Sequence, residues 1–264
     1  MKGAEIRDRL RGGDRVYGTQ IVSLGNPVHA RMMADLALDF VFICTEHMPV
    51  DRTEVSMMCQ YYAERGISPI VRIPYPSARW AAMFIDGGAQ GIVAPYVETV
   101  EEVQELVGAV RYRPIKGEFL RGILDGTRPS EPKLAEYLEQ FNKDLYLIIG
   151  IESVPAISRL EELLAVDGVD AIFLGPHDIT CSMGIPEEYE DPEFVATVTD
   201  VIRRARRMGK GAGMHMDYAL PRAEPFLEAG SNFILHLADV VKAKQVIASD
   251  IARLRSAEGP GQQT

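Results

Sequence analysis

Two periodicities alternate along the chain. Short apolar runs at residues 17–22, 40–45, 68–73, 91–96, 145–151, 171–174, 211–215 and 232–236 predict eight strands. Several of these, such as Phe40-Val41-Phe42-Ile43 and Leu147-Ile148-Ile149, are apolar without a polar alternation. Such runs fit strands covered on both faces, as in a parallel sheet. Between them, apolar residues return at helical spacing, as at Val103, Leu106, Val107 and Val110. Helices are predicted over 27–37 behind the N-cap Asn26, 53–65 ending at Gly66, and 100–110. Two more, 155–165 and 192–208, open on a proline and stop shortly before Gly168 and Gly209. A last helix is predicted over 240–257, and a short amphipathic one over 1–10.

Eight strand-helix units in one chain predict an α/β fold of the (β/α)8 TIM-barrel type. The expected organisation is a single barrel domain over 1–258, with helix 240–257 in oligomer contacts and a disordered tail at 259–264. A doubly wound sheet is the alternative, but no Gly-x-Gly-x-x-Gly follows any strand. The stretch 111–132 departs from the pattern, being irregular and basic at Arg111, Arg113, Lys116 and Arg121. It is read as an insertion over the active face, a lid or oligomer contact, with a mobile surface loop as the plainer alternative.

Composition narrows the partners. The 264 residues carry a net charge of −10, which disfavours nucleic acid and anionic membranes. No apolar run approaches the ~20 residues that span a bilayer. The charged N-terminus does not read as a signal peptide. Three cysteines at unpaired spacings, Cys44, Cys59 and Cys181, fit a reducing cytoplasm.

Polar residues then collect where predicted strands end. Glu152 closes the run 145–151, and Asp178 follows the run 171–174 across Gly175-Pro176. Glu46 and His47 follow the second strand and Arg72 closes the third, while Asp86 ends a helix ahead of the fourth. A carboxylate at the end of a buried strand needs a partner or a metal. Two of them on adjacent strands predict an oxygen-ligand site for a divalent cation. An arginine and a histidine nearby suit an anionic or carbonyl oxygen and a proton to be moved. Each residue has a plainer role as well. Glu152 alone suits a salt bridge, Asp178 a turn cap, His47 the surface, and Arg72 an ion pair with Asp86 or Glu46.

At these residues the chain resembles the HpcH/HpaI family of metal-dependent, class II pyruvate aldolases. The matching segments are Asp39–Ile43 with Glu46-His47, Val71-Arg72-Ile73-Pro74, the run 88–95, Ile151-Glu152-Ser153, Gly175-Pro176-His177-Asp178 and the run 209–213. They stand in the family's order across nearly the whole chain. The resemblance implies cleavage of a 4-hydroxy-2-oxo acid into a pyruvate enolate and an aldehyde. It implies Glu152 and Asp178 as ligands of Mg²⁺ or Mn²⁺, with Co²⁺ also acceptable to oxygen ligands. Arg72 would stabilise the enolate. His47 would exchange a proton with the 4-hydroxyl through water. Asp86 would help place that water or the aldehyde, from the same or a neighbouring subunit. The backbone at Gly175 and Pro176 would receive the substrate carboxylate. The resemblance also implies a homo-hexamer, a trimer of dimers that exchange C-terminal helices.

Three positions depart from the family. Cys44 stands where these aldolases have an aspartate paired with the histidine, Gly150 where a glutamine is frequent, and His215 where a small or apolar residue lies near the pyruvate methyl. His215 is read as a polar contact for a larger 2-oxo acid such as oxaloacetate, or as an ordinary strand histidine. The departures keep two rivals in view. One is a transferase condensing a 2-oxo acid with an acyl thioester. The other is a protein that binds metal and oxo acid with little turnover.

Overall fold

The computed structural model describes residues 2–23, 26–218 and 221–257. Eight parallel strands close into a barrel in sequence order, β1 pairing with both β2 and β8. The strands are β1 (Val16–Gln20), β2 (Phe40–Cys44), β3 (Ser68–Arg72), β4 (Gly91–Ala94), β5 (Tyr146–Ile151), β6 (Ala171–Leu174), β7 (Gly211–Met216) and β8 (Phe233–Ala238). All eight fall within one or two residues of the predicted runs. The doubly wound alternative is excluded by closure.

Burial on both faces explains the unbroken apolar runs. Outward residues such as Val41, Val71 and Ile149 join a core shared with the surrounding helices. Inward residues, among them Phe40, Phe42, Ile70, Tyr146, Ile148, Phe173 and Phe233, fill the barrel. Phe40 stacks on Phe233 at 4.7 Å and Phe42 on Phe173 at 5.7 Å. Gly213 makes room for this filling, because a Cβ there would lie 1.8 Å from the Phe233 carbonyl oxygen.

Helix α1 (Gly3–Gly12) is the predicted amphipathic N-terminal segment. Its Ile6 and Leu10 belong to the inner core, so it plugs the N-terminal end of the barrel. Asp170 lies fully buried at the same end, held by Arg11 at 2.7 Å and by Arg111. The barrel is thereby closed below and open above, at the C-terminal ends of the strands.

The other helices follow in order: α2 (Pro27–Met33), α3 (Arg52–Glu64), α4 (Ala78–Asp86), α5 (Val100–Arg111), α6 (Gly117–Leu124), α7 (Pro132–Asn142), α8 (Val154–Ser158), α9 (Leu160–Leu164), α10 (Pro176–Ser182), α11 (Pro192–Arg207), α12 (Glu224–Glu228) and α13 (Asp239–Ala257). Capping sets several starts. Thr99 and Glu102 form a reciprocal capping box on α5, and the Asp191 side chain caps α11. The predicted helix 155–165 is two short helices, α8 and α9, separated at Arg159. The expected disordered tail, 259–264, lies outside the described residues.

The stretch 111–132 differs from its expectation twice. It contains α6, whose Leu120 and Leu124 pack over Gly108 of α5. Glycines and basic residues had hidden this short amphipathic pattern. Its position differs as well. It runs between α5 and α7, starting where α5 ends, and lies at the plugged end, where Arg111, Ile123 and Ser130 share a cleft with Arg7 and Arg11 of α1. It does not cover the open mouth of its own barrel.

Candidate active site

The open end gathers side chains from five strands over a floor of aromatic rings. Arg72, the last residue of β3, is 9% exposed and points into the barrel. Its guanidinium carbon lies 5.6 Å from the Phe42 ring centre and 5.8 Å from that of Phe173. Stacking on ring faces suits a planar cation. Arg72 Nη2 donates to Cys44 Sγ at 3.0 Å, and Nε lies 3.1 Å from Glu46 Oε2. The Nε contact is an ion pair without an aligned hydrogen bond, since both atoms are buried and lack a hydrogen-bond partner. Of the two partners offered by the sequence for Arg72, the structure selects Glu46.

Cys44 does not meet the histidine ring. Its sulfur accepts from Arg72 and, at 3.4 Å, from the backbone N–H of His47. The His47 imidazole is 65% exposed, with Nε2 3.6 Å from Glu46 Oε2. Glu46 thus stands beside both Arg72 and His47, so a carboxyl group neighbours the histidine with cysteine at position 44.

Glu152 follows β5 and is 2% exposed. Burial first, then the charges of Glu46 and Asp178, push its carboxyl up to about 8. Arg72 and the backbone of Tyr96 oppose that shift. Tyr96 supplies its contact from a left-handed conformation, φ 48°, an uncommon state for a tyrosine. Glu152 Oε1 is buried without a hydrogen-bond partner. Asp178 reaches the same place from the first turn of α10. Gly175 explains how: a Cβ there would stand 3.0 Å from Asp178 Oδ2 and 3.0 Å from Glu152 Cγ. Gly150 is related. A Cβ at that position would lie 2.8 Å from Glu152 Oε1, so the glycine leaves the carboxylate its space.

A cavity of about 340 Å³ opens above these groups, and its lining includes His47, Arg72, Gly175, Pro176, Asp178 and His215. His215 is inward-facing near the end of β7, and its Nε2 is buried without a partner. Burial lowers its pKa, aided by the charges of Arg72 and His236 and opposed by the Leu237 backbone. Sequence reasoning had not named Tyr189, Phe194 and Phe226, which also line the cavity. They come from loops and helices whose spacing carries no catalytic pattern.

Asp86 is the predicted site residue that this gathering leaves out. It ends α4, so it lies toward the plugged end of the barrel, 68% exposed and paired with Arg113.

The donor set suits a hard divalent cation. Among the described residues no group of three or more His, Cys, Asp and Glu side chains forms a metal cage. Two carboxylates are nonetheless enough for an ion that keeps waters and takes substrate oxygens. The unpartnered Glu152 oxygen, crowded beside Asp178 over Gly175, is what such an ion would satisfy.

Residues 21–243 match the HpcH/HpaI aldolase/citrate lyase family. A hydroxypyruvate/pyruvate aldolase of Sagittula stellata is 33% identical over 85% of this chain and 87% of its own. A 2-keto-3-deoxy-L-rhamnonate aldolase of Escherichia coli O9:H4 is 30% identical over 97% of this chain and 95% of its own. The crystal structure of an HpcH/HpaI aldolase from Desulfitobacterium hafniense superposes with a TM-score of 0.82 at 26% identity, covering 98% of this chain and 99% of that one.

Proposed function

The chain belongs to the HpcH/HpaI aldolase/citrate lyase family and is an aldolase-type lyase, and from that premise we propose that the cavity over Arg72 cleaves and forms the carbon–carbon bond between a short 2-oxo acid enolate and an aldehyde. The observation that carries this is the buried, unpartnered Glu152 carboxylate crowded beside Asp178 over Gly175, with Asp178, Gly175 and Arg72 lining one cavity.

Family members are in general dependent on a divalent metal. Glu152 and Asp178 would hold Mg²⁺ or Mn²⁺, with Co²⁺ also compatible. The ion supplies Lewis-acid polarisation of the 2-oxo acid when bound. The protein's own groups do the rest. The backbone at Gly175 and Pro176 meets the substrate carboxylate. Arg72, fixed on Phe42 and Phe173, donates to the 2-oxo oxygen and stabilises the negative charge that develops there. As the C3–C4 bond breaks, its electron pair forms the enolate. The proton of the 4-hydroxyl leaves through a water to His47, whose Nε2 lies 3.6 Å from Glu46 Oε2. The enolate is then reprotonated at C3, releasing the 2-oxo acid and the aldehyde.

The assembly is read as a homo-hexamer built from dimers. Exposed Val246, Ile247 and Leu254 along α13 support contacts through that helix. In such an assembly Asp86 would act in the cavity of a neighbour. Three unpaired cysteines support a cytoplasmic setting, and no helix among the described residues is long and apolar enough to cross a membrane.

The test is deuterium exchange into C3 of pyruvate, followed by NMR, with Mg²⁺ and after EDTA. Metal-dependent exchange is expected, and its absence in metal-loaded protein would remove the enolate chemistry.

A further inference from the structure

His215 is the first side chain that β7 sends into the barrel. Ala212 and Met214 face outward into the helix-covered core, so Gly211, Gly213 and His215 face inward. The two glycines are filled by neighbours, Leu10 and Ala171 over Gly211 and Phe233 over Gly213. The imidazole is then the inward side chain that β7 offers to the cavity, which Arg72, Gly175, Asp178 and Met216 also line.

The neighbouring polar groups already have roles in the aldolase reading: Arg72 donates to Cys44 and lies 3.1 Å from Glu46, and Asp178 stands beside Glu152 as the second carboxylate of the metal site. His215 Nε2 is buried and has no partner. An unpaired polar atom in the protein interior destabilises it unless a ligand supplies the missing hydrogen bond. Resting on the aldolase reading above, we propose that His215 is a specificity residue for a 2-oxo acid bearing a hydroxyl at C3, with Nε2 as that hydroxyl's hydrogen-bond partner.

The placement follows from the wall positions. The substrate carboxylate faces Gly175 after β6, and the 2-oxo oxygen faces Arg72 of β3. C3, bonded to the oxo carbon opposite the carboxylate, is left toward β7. A methyl group there leaves Nε2 unpaired, and a hydroxyl completes it. A neutral hydroxyl needs no counter-charge from the ring, whose pKa burial lowers.

The experiment compares C3 deuterium exchange for hydroxypyruvate and pyruvate in Mg²⁺-loaded wild type, His215→Leu and His215→Asn. The readout is the ratio of kcat/KM for the two donors, so intrinsic differences in C–H acidity cancel between variants. His215→Leu should lower the hydroxypyruvate:pyruvate ratio about tenfold or more, the scale of one buried hydrogen bond. His215→Asn, which keeps a hydrogen-bonding side chain, should retain most of the preference and serves if the leucine variant does not fold. A ratio unmoved in both variants, with both donors still exchanging, overturns the role of His215 and leaves the aldolase reading intact. Exchange of neither donor by wild type overturns the aldolase reading and this proposal with it.

Discussion

The Nη2 of Arg72 donates to the sulfur of Cys44 at 3.0 Å, joining the ends of two neighbouring strands across the barrel mouth. The guanidinium is thereby held over two phenylalanine rings before any substrate arrives. Preorganised donors of this kind are worth about 10²–10³ in rate when removed singly. Arg72→Ala should therefore lower metal-dependent exchange at C3 at least about 100-fold. Its metal affinity should stay near that of wild type, because Arg72 supplies no ligand. Calorimetric titration with Mn²⁺ separates the two effects, and a parallel loss of both would move Arg72 into the metal site.

Cys44→Asp tests the base. Glu46 already stands 3.6 Å from His47 and 3.1 Å from Arg72, so wild type should turn over without an aspartate at position 44. The substitution should change exchange by less than about tenfold, the scale of a single added pairing. Activity that is absent in wild type and present only in the aspartate variant would identify a protein that binds oxo acids without turning them over.

Glu152 predicts a pH dependence with a definite sign. Its carboxyl is pushed up to about 8 from an ordinary 4.5, chiefly by burial. Between these values the metal-free native state keeps a proton that the unfolded chain has released. Stability in EDTA should therefore fall as pH rises through that window. Glu152→Gln, which resembles the protonated form, should melt higher than wild type at about pH 8 and close to it at about pH 5. Metal binding must expel the same proton, so wild-type affinity should rise toward tenfold per pH unit below about 8. Equal melting differences at both pH values would show that Glu152 does not titrate in this range.

Gly175 is a spacer in the metal site. A methyl group there would press on Asp178 Oδ2 and Glu152 Cγ, both 3.0 Å away. Its backbone, φ −92°, accepts alanine without strain. Gly175→Ala should therefore keep the fold and weaken Mn²⁺ binding about tenfold or more, on the scale of supporting-residue changes at metal sites. Unchanged affinity would show that the two carboxylates do not act together.

The barrel was legible because each strand is buried on both faces, which leaves unbroken apolar runs such as Phe40–Cys44 and Tyr146–Ile151. Helix starts were legible where a cap is local, as at Asn26, whose side chain accepts from the Val28 N–H. The α6 helix was not, because its apolar face is short and interrupted by Gly117 and Gly122. The end of the barrel on which 111–132 lies follows from chain order alone, once α5 is recognised as preceding it.

For the site, sequence by itself determined which strand ends carry Glu46, His47, Arg72, Glu152 and Asp178, since their positions follow local hydrophobic patterning. Tertiary structure decided how those groups pair. It set Cys44 on Arg72 rather than on the His47 ring, and left Asp86 outside its own cavity. It also put Tyr96 into a left-handed turn toward Glu152, and enclosed His215 Nε2 without a partner. These outcomes depend on contacts between strands far apart in the chain, where burial and neighbouring charge act through space and leave no periodic trace in the sequence.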